Sequence, residues 1–432
     1  MAASPNDSMV LSFEEARGIV EEHASHLSPA AYEVVDLLSA AGRVLSEPIT
    51  ADRDIPPFPR STRDGLAVRS ADLSKVPASL TLKGEIKAGA SPSDVPSFVH
   101  PGEAYAIMTG APVPPGADAV VMIEHTLMYS KHVVISRGAS PGENIVIRGA
   151  EAERGSLVLA PGTRMNEAAI ALAASVGRSR INVFARPCVA VLTTGDEIVP
   201  IDAEVGPTQI RNSNTYSLAM QIQQAGAEPV LLPIAPDERG QLRQLIEEGL
   251  KSDLMLITGG VSMGRYDLVE QVMAELRAEF FFLGAKIQPG RPVVFGRIPC
   301  RAEIHGGACA AAGERLTLPQ NKHFFGLPGN PVSTMVTFEL FARPMIEALC
   351  GLSPRPLFFL HARLKSEVRV KPGLRRFLPA ILSGELDETS VETVPWQGSG
   401  DIAARSRSNC YLVIPMDREQ LAAGEWVAVM LR

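Results

Sequence analysis

The chain has 432 residues, too many for one ordinary domain, and its 46% apolar and 21% charged residues supply material for several cores. A formal net charge of −7 argues against general binding to nucleic acid or anionic membranes, while leaving room for a local basic pocket. No apolar run approaches the roughly 20 residues of a membrane-spanning helix, and the N-terminus lacks the basic and apolar regions of a signal peptide. The expectation is a cytoplasmic protein with no nucleic-acid or membrane partner. Five scattered cysteines without a CxxC (Cys188, Cys300, Cys309, Cys350 and Cys410) read as reduced thiols.

Ser12 and Glu15 have capping-box spacing before an amphipathic stretch and predict an N-terminal helix. "AAYEVVDLLSAAG" (30–42) predicts a second helix stopped by Gly42. From about 47 to 147, prolines and glycines punctuate short β-like runs such as "DGLAVR", "SLTLKGEI" and "DAVVMIE". "NEAAIALAASVG" (166–177) reads as helix and is expected to rejoin the first helices. From 186 strands alternate with helices: "PCVAVLTTG", "SNTYSLAMQIQQAG", "EPVLLPIA", "DERGQLRQLIEEGL", "SDLMLITGG" and "DLVEQVMAEL". Strand-like "RPVVFGRI" and "HFFGLPG" and a long helix from Asn330 follow. That alternation predicts a mostly parallel, helix-covered sheet with ligands at its C-terminal edge. The polar, glycine-rich 299–322 stretch reads as a surface loop. From about 356 the texture is β again. The expected architecture is multidomain α/β plus β. A helical N-terminal domain (1–50 and 148–185) carries a β-rich insertion (51–147). A central α/β domain (186–354) and a small C-terminal β-barrel (355–432) follow.

Chemistry concentrates in the strand-end loops. "LITGGVSMGRYD" (256–267) runs from a strand into Gly259, Gly260, Ser262 and Gly264 and closes on Asp267. Glycines there let backbone N–H groups approach a phosphate, and a plain tight turn is the alternative. "TTGDEIV" (193–199) ends another strand at the same edge with Thr194, Gly195, Asp196 and Glu197. "GLPGNPVS" (326–333) opens a helix with Asn330 as N-cap, Pro331 in the first turn and Ser333 among free N–H groups. "KIQPGRPVVFG" (286–296) sets Arg291 at the mouth of the sheet, where its planar fork suits an oxyanion. Glu197, Asp237 and Asp267 are oxygen donors of the kind that hold Mg²⁺ beside substrate phosphates, with helix capping as the alternative for Asp237. Cys300, His305, Cys309 and His323 match no structural zinc spacing. No nucleophile–base triad is evident, so chemistry would rest on a divalent ion and positioned groups.

Assembled in order, "PPFPRSTRDGLAVRSAD" (56–72), "IMTGAPVPPGADAVVMIE" (107–124), "GENIVIRGAE" (142–151), "TTGDEIV", "TGGVSMGRYD", "QPGRPVVFG" and "FGLPGNPVS" closely resemble the molybdopterin molybdenumtransferase family, relatives of the gephyrin E domain. The resemblance implies a central molybdopterin-binding domain and a homodimer with a composite active site. It implies insertion of molybdenum from molybdate into adenylylated molybdopterin, with release of AMP and assistance from Mg²⁺ or a similar divalent ion. A molybdopterin adenylyltransferase would be the substrate donor. By motif, Asp64 and Thr109 are cleft residues reaching across from the partner. Glu197, Asp237 and Asp267 are the metal and substrate carboxylates. Thr194, Gly195, Gly259, Gly260, Ser262 and Gly264 form the pterin-phosphate loops. Arg291 and Ser333 belong to the molybdate pocket, and Arg375, Arg376 and Ser399 form its other wall. Gln288 departs from the lysine common in the family and removes one charge from that pocket. A molybdopterin adenylyltransferase and a non-catalytic pterin-binding scaffold are the alternatives.

Overall fold

A computed structural model describes residues 9–260, 268–299 and 321–431. The chain divides into two compact units: Met1–Ser46, Gly162–Asn166 and Arg180–Arg432 form one, and Glu47–Pro161 with Glu167–Ser179 forms the other.

In the first unit the N-terminal helix spans Phe13–Ser25, and Ser12 and Glu15 cap it reciprocally: Ser12 N donates to Glu15 Oε2 at 2.8 Å and Glu15 N to Ser12 Oγ at 3.2 Å. Its apolar stripe of Phe13, Ala16, Val20 and Ala24 joins the core of the α/β sheet. Phe13 packs edge-on to Phe377 of the C-terminal barrel at 5.6 Å.

The second predicted helix does not form. Tyr32–Asp36 is a strand, paired antiparallel with Arg180–Phe184, and only Leu37–Ala40 makes a single 3₁₀ turn. Adjacent β-branched Val34 and Val35 favour extended backbone, and the partner that decides the matter is remote in sequence. Among the cysteines, Cys350 and Cys410 are free and buried, and burial pushes their thiols up to about 12 and about 11. Cys188 is buried at the start of its strand, and Cys300 and Cys309 lie outside the described residues.

The α/β sheet has six strands in the order Glu228–Leu231, Cys188–Thr193, Leu254–Thr258, Lys322–Leu327, Val294–Ile298, Glu279–Phe282. The first four run parallel; Val294–Ile298 is antiparallel to both its neighbours, so Glu279–Phe282 again runs with the first four, as the mostly parallel expectation requires. Strand order reverses between Cys188–Thr193 and Leu254–Thr258, so a crevice opens there at the C-terminal edge. The long helix from Asn330 is Pro331–Thr337 and Arg343–Leu349 joined by a π-helical turn, Phe338–Ala342. Pro344 has no N–H to offer the Leu340 carbonyl, and the Arg17 guanidinium from the N-terminal helix donates to it instead.

Five C-terminal strands, Leu360–Leu364, Arg375–Ser383, Ser390–Thr393, Cys410–Ile414 and Trp426–Leu431, pair around a closed ring. The ring encloses Ala362, Leu364, Ala380, Val391, Leu412 and Val429. Ile287–Gln288 adds alongside Arg375–Arg376 and ties the barrel to the α/β sheet.

The second unit is built on a six-stranded sheet ordered Ala119–Met122, Gly65–Val68, Glu103–Ile107, Ala78–Ile86, His132–Ile135, Thr126–Met128. Alternation along Gly65–Val68 sends Leu66 and Val68 into one apolar cluster and Ala67 into another. The helix Glu167–Ser175 belongs to this unit. No helix among the described residues is long and apolar enough to cross a membrane.

Candidate active site

Three parallel strands of the α/β sheet end in turns that touch. Cys188–Thr193 leaves through Thr194 and Gly195, Leu254–Thr258 through Gly259 and Gly260, and Lys322–Leu327 through Pro328 and Gly329. Thr194 N donates to Thr258 O at 3.0 Å, and Gly195 N to Ala235 O at 3.2 Å. Gly259 and Gly260 have φ of +87° and +58°. A Cβ on Gly259 would lie 2.3 Å from the Thr194 carbonyl oxygen, and one on Gly260 2.6 Å from the Thr194 hydroxyl. The double glycine therefore passes the neighbouring turn as bare backbone. Gly329 completes the stack, its Cβ position 3.5 Å from Gly259 Cα. Thr194 Oγ1 is buried and has no hydrogen-bond partner among the described residues, so it can donate to a ligand.

Asn214, at the start of helix Asn214–Ala225, acts as a strut that the sequence reading missed. Its buried Nδ2 donates to Thr258 Oγ1 at 3.0 Å and to Gly329 O at 2.7 Å, and Thr258 Oγ1 donates to Pro328 O at 3.2 Å. Read alone, "SNTYSL" looks like a capped helix start. The signal was a pair of asparagines, Asn212 and Asn214, on either side of the Ser213 N-cap, more polar groups than a cap needs.

On the other side of the Gly195 turn, Asp196, Glu197 and Asp237 are exposed and close together. Asp237 N donates to Asp196 Oδ1 at 3.0 Å. Partial burial, then the neighbouring Asp196 and Glu197 charges, hold the Asp237 carboxyl above its ordinary value. The capping alternative for Asp237 fails, because Glu238 is the N-cap and accepts from Gly240 N and Gln241 N, both at 2.8 Å. Crowded like charges of this kind suit a divalent cation, yet no three carboxylates among the described residues are placed to chelate one. Asp267, Ser262 and Gly264 lie outside the described residues, as do Cys300, His305 and Cys309.

The proposed oxyanion residues gather at the start of helix Pro331–Thr337. Asn330 is its N-cap and donates through Nδ2 to Ser399 Oγ at 2.9 Å, while Val332 N donates to Ser399 O at 3.0 Å. Ser333 is buried in the first turn. The Gln288–Arg291 turn leans on the same helix: a Cβ on Gly290 would meet Thr337 Cγ2 at 2.4 Å and lie 3.6 Å from Ser333 O. Arg291 itself is exposed and forms no ion pair among the described residues. Arg375 departs from expectation: it pairs with Glu14 at 2.5 Å and stacks over Phe13 at 5.0 Å, and so faces the N-terminal helix. Its neighbour Arg376 is the better candidate. Only 7% exposed, it stands in register with Gln288; its Nη2 donates to Lys371 O, and its Nε has no partner among the described residues. Burial pulls its pKa below the usual guanidinium value. Arg376 lines a cavity of about 630 Å³ with Gln288, Lys371, Trp396 and Gln397. Strand alternation separates the two arginines' directions, which an adjacent pair in sequence conceals.

In the second unit Asp64 Oδ1 accepts from Thr109 N at 2.6 Å and Thr109 Oγ1 at 2.9 Å, and these bonds hold the Asp64 carboxyl below its usual range. The two predicted residues thus form one exposed, locked pair. Gly65 behind it is obligatory, since a Cβ would sit 1.9 Å from the Val121 carbonyl oxygen.

Comparison with known proteins decides the family. The MoeA N-terminal region (domain I and II) matches residues 11–177, a "Probable molybdopterin binding domain" matches 190–348, and the MoeA C-terminal region (domain IV) matches 361–431. The Nostoc molybdopterin molybdenumtransferase is 32% identical over 92% of this chain and 88% of its own length. The chain belongs to the molybdopterin molybdenumtransferase (MoeA) family. The Bacillus subtilis member is 31% identical, covering 92% of this chain and 89% of its own. Among solved structures, a molybdopterin biosynthesis MoeA protein from Pyrococcus horikoshii superposes over 98% of this chain and 99% of its own, with a TM-score of 0.68 and 31% identity. The family's three regions thus account for the inserted β unit, the α/β sheet and the closed barrel in one chain.

Proposed function

We propose that this MoeA-family chain is a molybdopterin molybdenumtransferase, taking adenylylated molybdopterin and molybdate and releasing AMP and molybdenum cofactor. One observation carries the reading. Along one sheet edge, glycine turns built for a phosphate lie between a crowded carboxylate group and a helix start supplied with fixed oxyanion donors. In this assignment the Gly259–Gly260 and Thr194–Gly195 turns bind the pterin phosphate through backbone N–H groups and the Thr194 hydroxyl. Arg291, Arg376, Gln288, Ser333 and Ser399 orient molybdate, a tetrahedral dianion, by hydrogen bonds and charge. Glu197 and Asp237, with Asp267, would hold Mg²⁺, which would neutralise charge on the phosphoanhydride as AMP leaves. Asn214 keeps the turns in register, so the donors are in place before substrate arrives.

The protein would work in the cytoplasm as a homodimer, with the Asp64–Thr109 pair of one subunit completing the partner's cleft, and would receive substrate from a molybdopterin adenylyltransferase. The test is AMP release from adenylylated molybdopterin in the presence of molybdate, with and without Mg²⁺. Asp64→Ala and Asp267→Ala should each be inactive alone and partly active as mixed dimers. Substrate bound without turnover would leave a pterin-binding scaffold. Mixed dimers that form and stay inactive would refute the shared cleft.

A further inference from the structure

A cavity of about 590 Å³ opens beside the Gly195–Asp196 turn, and its apolar walls carry none of the roles assigned above. Its walls include Pro200, Ile201, Tyr216, Leu231, Pro233 and Pro236. Tyr216 is 51% exposed, Ile201 48% and Leu231 47%, so three large apolar side chains turn toward this concavity instead of a core. Convergent exposed apolar groups of this kind mark a ligand wall. The floor is polar but self-satisfied: Asn212 Nδ2 donates to Thr215 Oγ1 at 2.9 Å, Thr215 N donates to Asn212 Oδ1 at 3.2 Å, and the Thr193 and Thr215 hydroxyls lie 2.8 Å apart. Asp196 stands on the rim. One of its oxygens accepts from Asp237 N, and the other has no partner among the described residues.

We propose that this cavity is a subsite for a planar, amino-substituted nitrogen heterocycle. Tyr216 and the proline walls pack against the ring face, and the free Asp196 oxygen accepts a hydrogen bond from the ring's amino group. A flat apolar slot with one anionic acceptor at its rim selects a ring that carries an exocyclic N–H donor and rejects its oxo analogue, whose carbonyl would face the carboxylate. The inference rests on the function proposed above, in which the substrate carries two such rings, adenine and pterin. They share this chemistry, and the experiment separates them.

Equilibrium binding to the full chain would be measured with AMP and with 6-hydroxymethylpterin, each beside its oxo counterpart, inosine monophosphate or 6-hydroxymethyllumazine. The expected result is that one amino ring binds and its oxo counterpart binds more weakly. Tyr216→Ala should weaken binding about tenfold or more, the scale of lost ring stacking, and Tyr216→Phe should restore it. Asp196→Asn should erase the preference for the amino ring. AMP as the sensitive probe assigns the slot to the nucleotide base, and the pterin assigns it to the other end of the substrate. Binding of neither ring, binding indifferent to Tyr216→Ala, or equal binding of amino and oxo rings would overturn the subsite. Turnover with an unchanged KM in Tyr216→Ala would remove the subsite and leave the enzyme function standing. No turnover by the wild type would remove the function itself.

Discussion

Replacing Gly259 by alanine tests the stacked turns most directly. The new Cβ would lie 2.3 Å from the Thr194 carbonyl oxygen, at a φ of +87°. Neither strain can be relieved by a rotamer change, because the obstacle is backbone. A left-handed non-glycine residue costs about 1–2 kcal/mol and overpacking about 1–3 kcal/mol, so about 2–5 kcal/mol presses on one turn. Restoring ordinary contact moves the Gly259 and Thr194 turns apart by about 1 Å, a displacement on the scale that costs about a hundredfold in rate when it misplaces bound substrate. Gly329→Ala is the control, since its Cβ would meet Gly259 Cα at an ordinary 3.5 Å and its φ is not left-handed. Turnover and thermal unfolding would be measured for both. Gly259→Ala should lose most of its turnover with a modest fall in melting temperature, and Gly329→Ala should stay near wild type. Full turnover in Gly259→Ala, or equal loss in Gly329→Ala, would refute the steric account.

Arg376→Gln should raise the molybdate concentration needed for half-maximal AMP release by about tenfold to a hundredfold, the worth of a hydrogen bond to a charged group, while Arg375→Gln should change it little. The opposite ranking would return the oxyanion role to Arg375. His323 is buried against His23 (Nε2 to Nδ1, 3.3 Å), and burial first, then the His23 and Arg297 charges, pull its pKa down to about 4. The unfolded chain takes up that proton near pH 6.5, so stability is complete above pH 6.5 and falls by about 3 kcal/mol as pH drops to about 4. Denaturant unfolding at pH 7 and pH 4.5 should show a smaller acid loss in His323→Phe. An identical loss would mean that other groups cause it. Asn214→Asp keeps the side chain's shape but sets an oxygen against the Gly329 carbonyl in place of a donor. It should depress turnover more than Asn214→Ser, and an unimpaired Asn214→Asp enzyme would remove the strut role.

Local chemistry was legible in the sequence wherever it is short-range. The Ser12–Glu15 capping box, the glycines after Leu254–Thr258 and the alternation of strands and helices from 186 onward each follow from neighbours within a few residues. Ordered motifs were enough to name the family. Tertiary structure decided what depends on partners remote in the chain. Tyr32–Asp36 is a strand only because Arg180–Phe184 lies beside it, and no local pattern carries that pairing. Arg375 and Arg376 are adjacent letters, yet one reaches Glu14 and the other a cavity, because successive strand residues face opposite ways. Asp237 was a plausible cap until Glu238 took the free N–H groups. Asn214 and Tyr216 sit in one helical run, and their roles came into view only when folding set that helix start between the strand-end turns. A sequence records which groups are available. Which of them remain unspent at a binding edge depends on the hydrogen bonds and packing that the rest of the chain has already claimed.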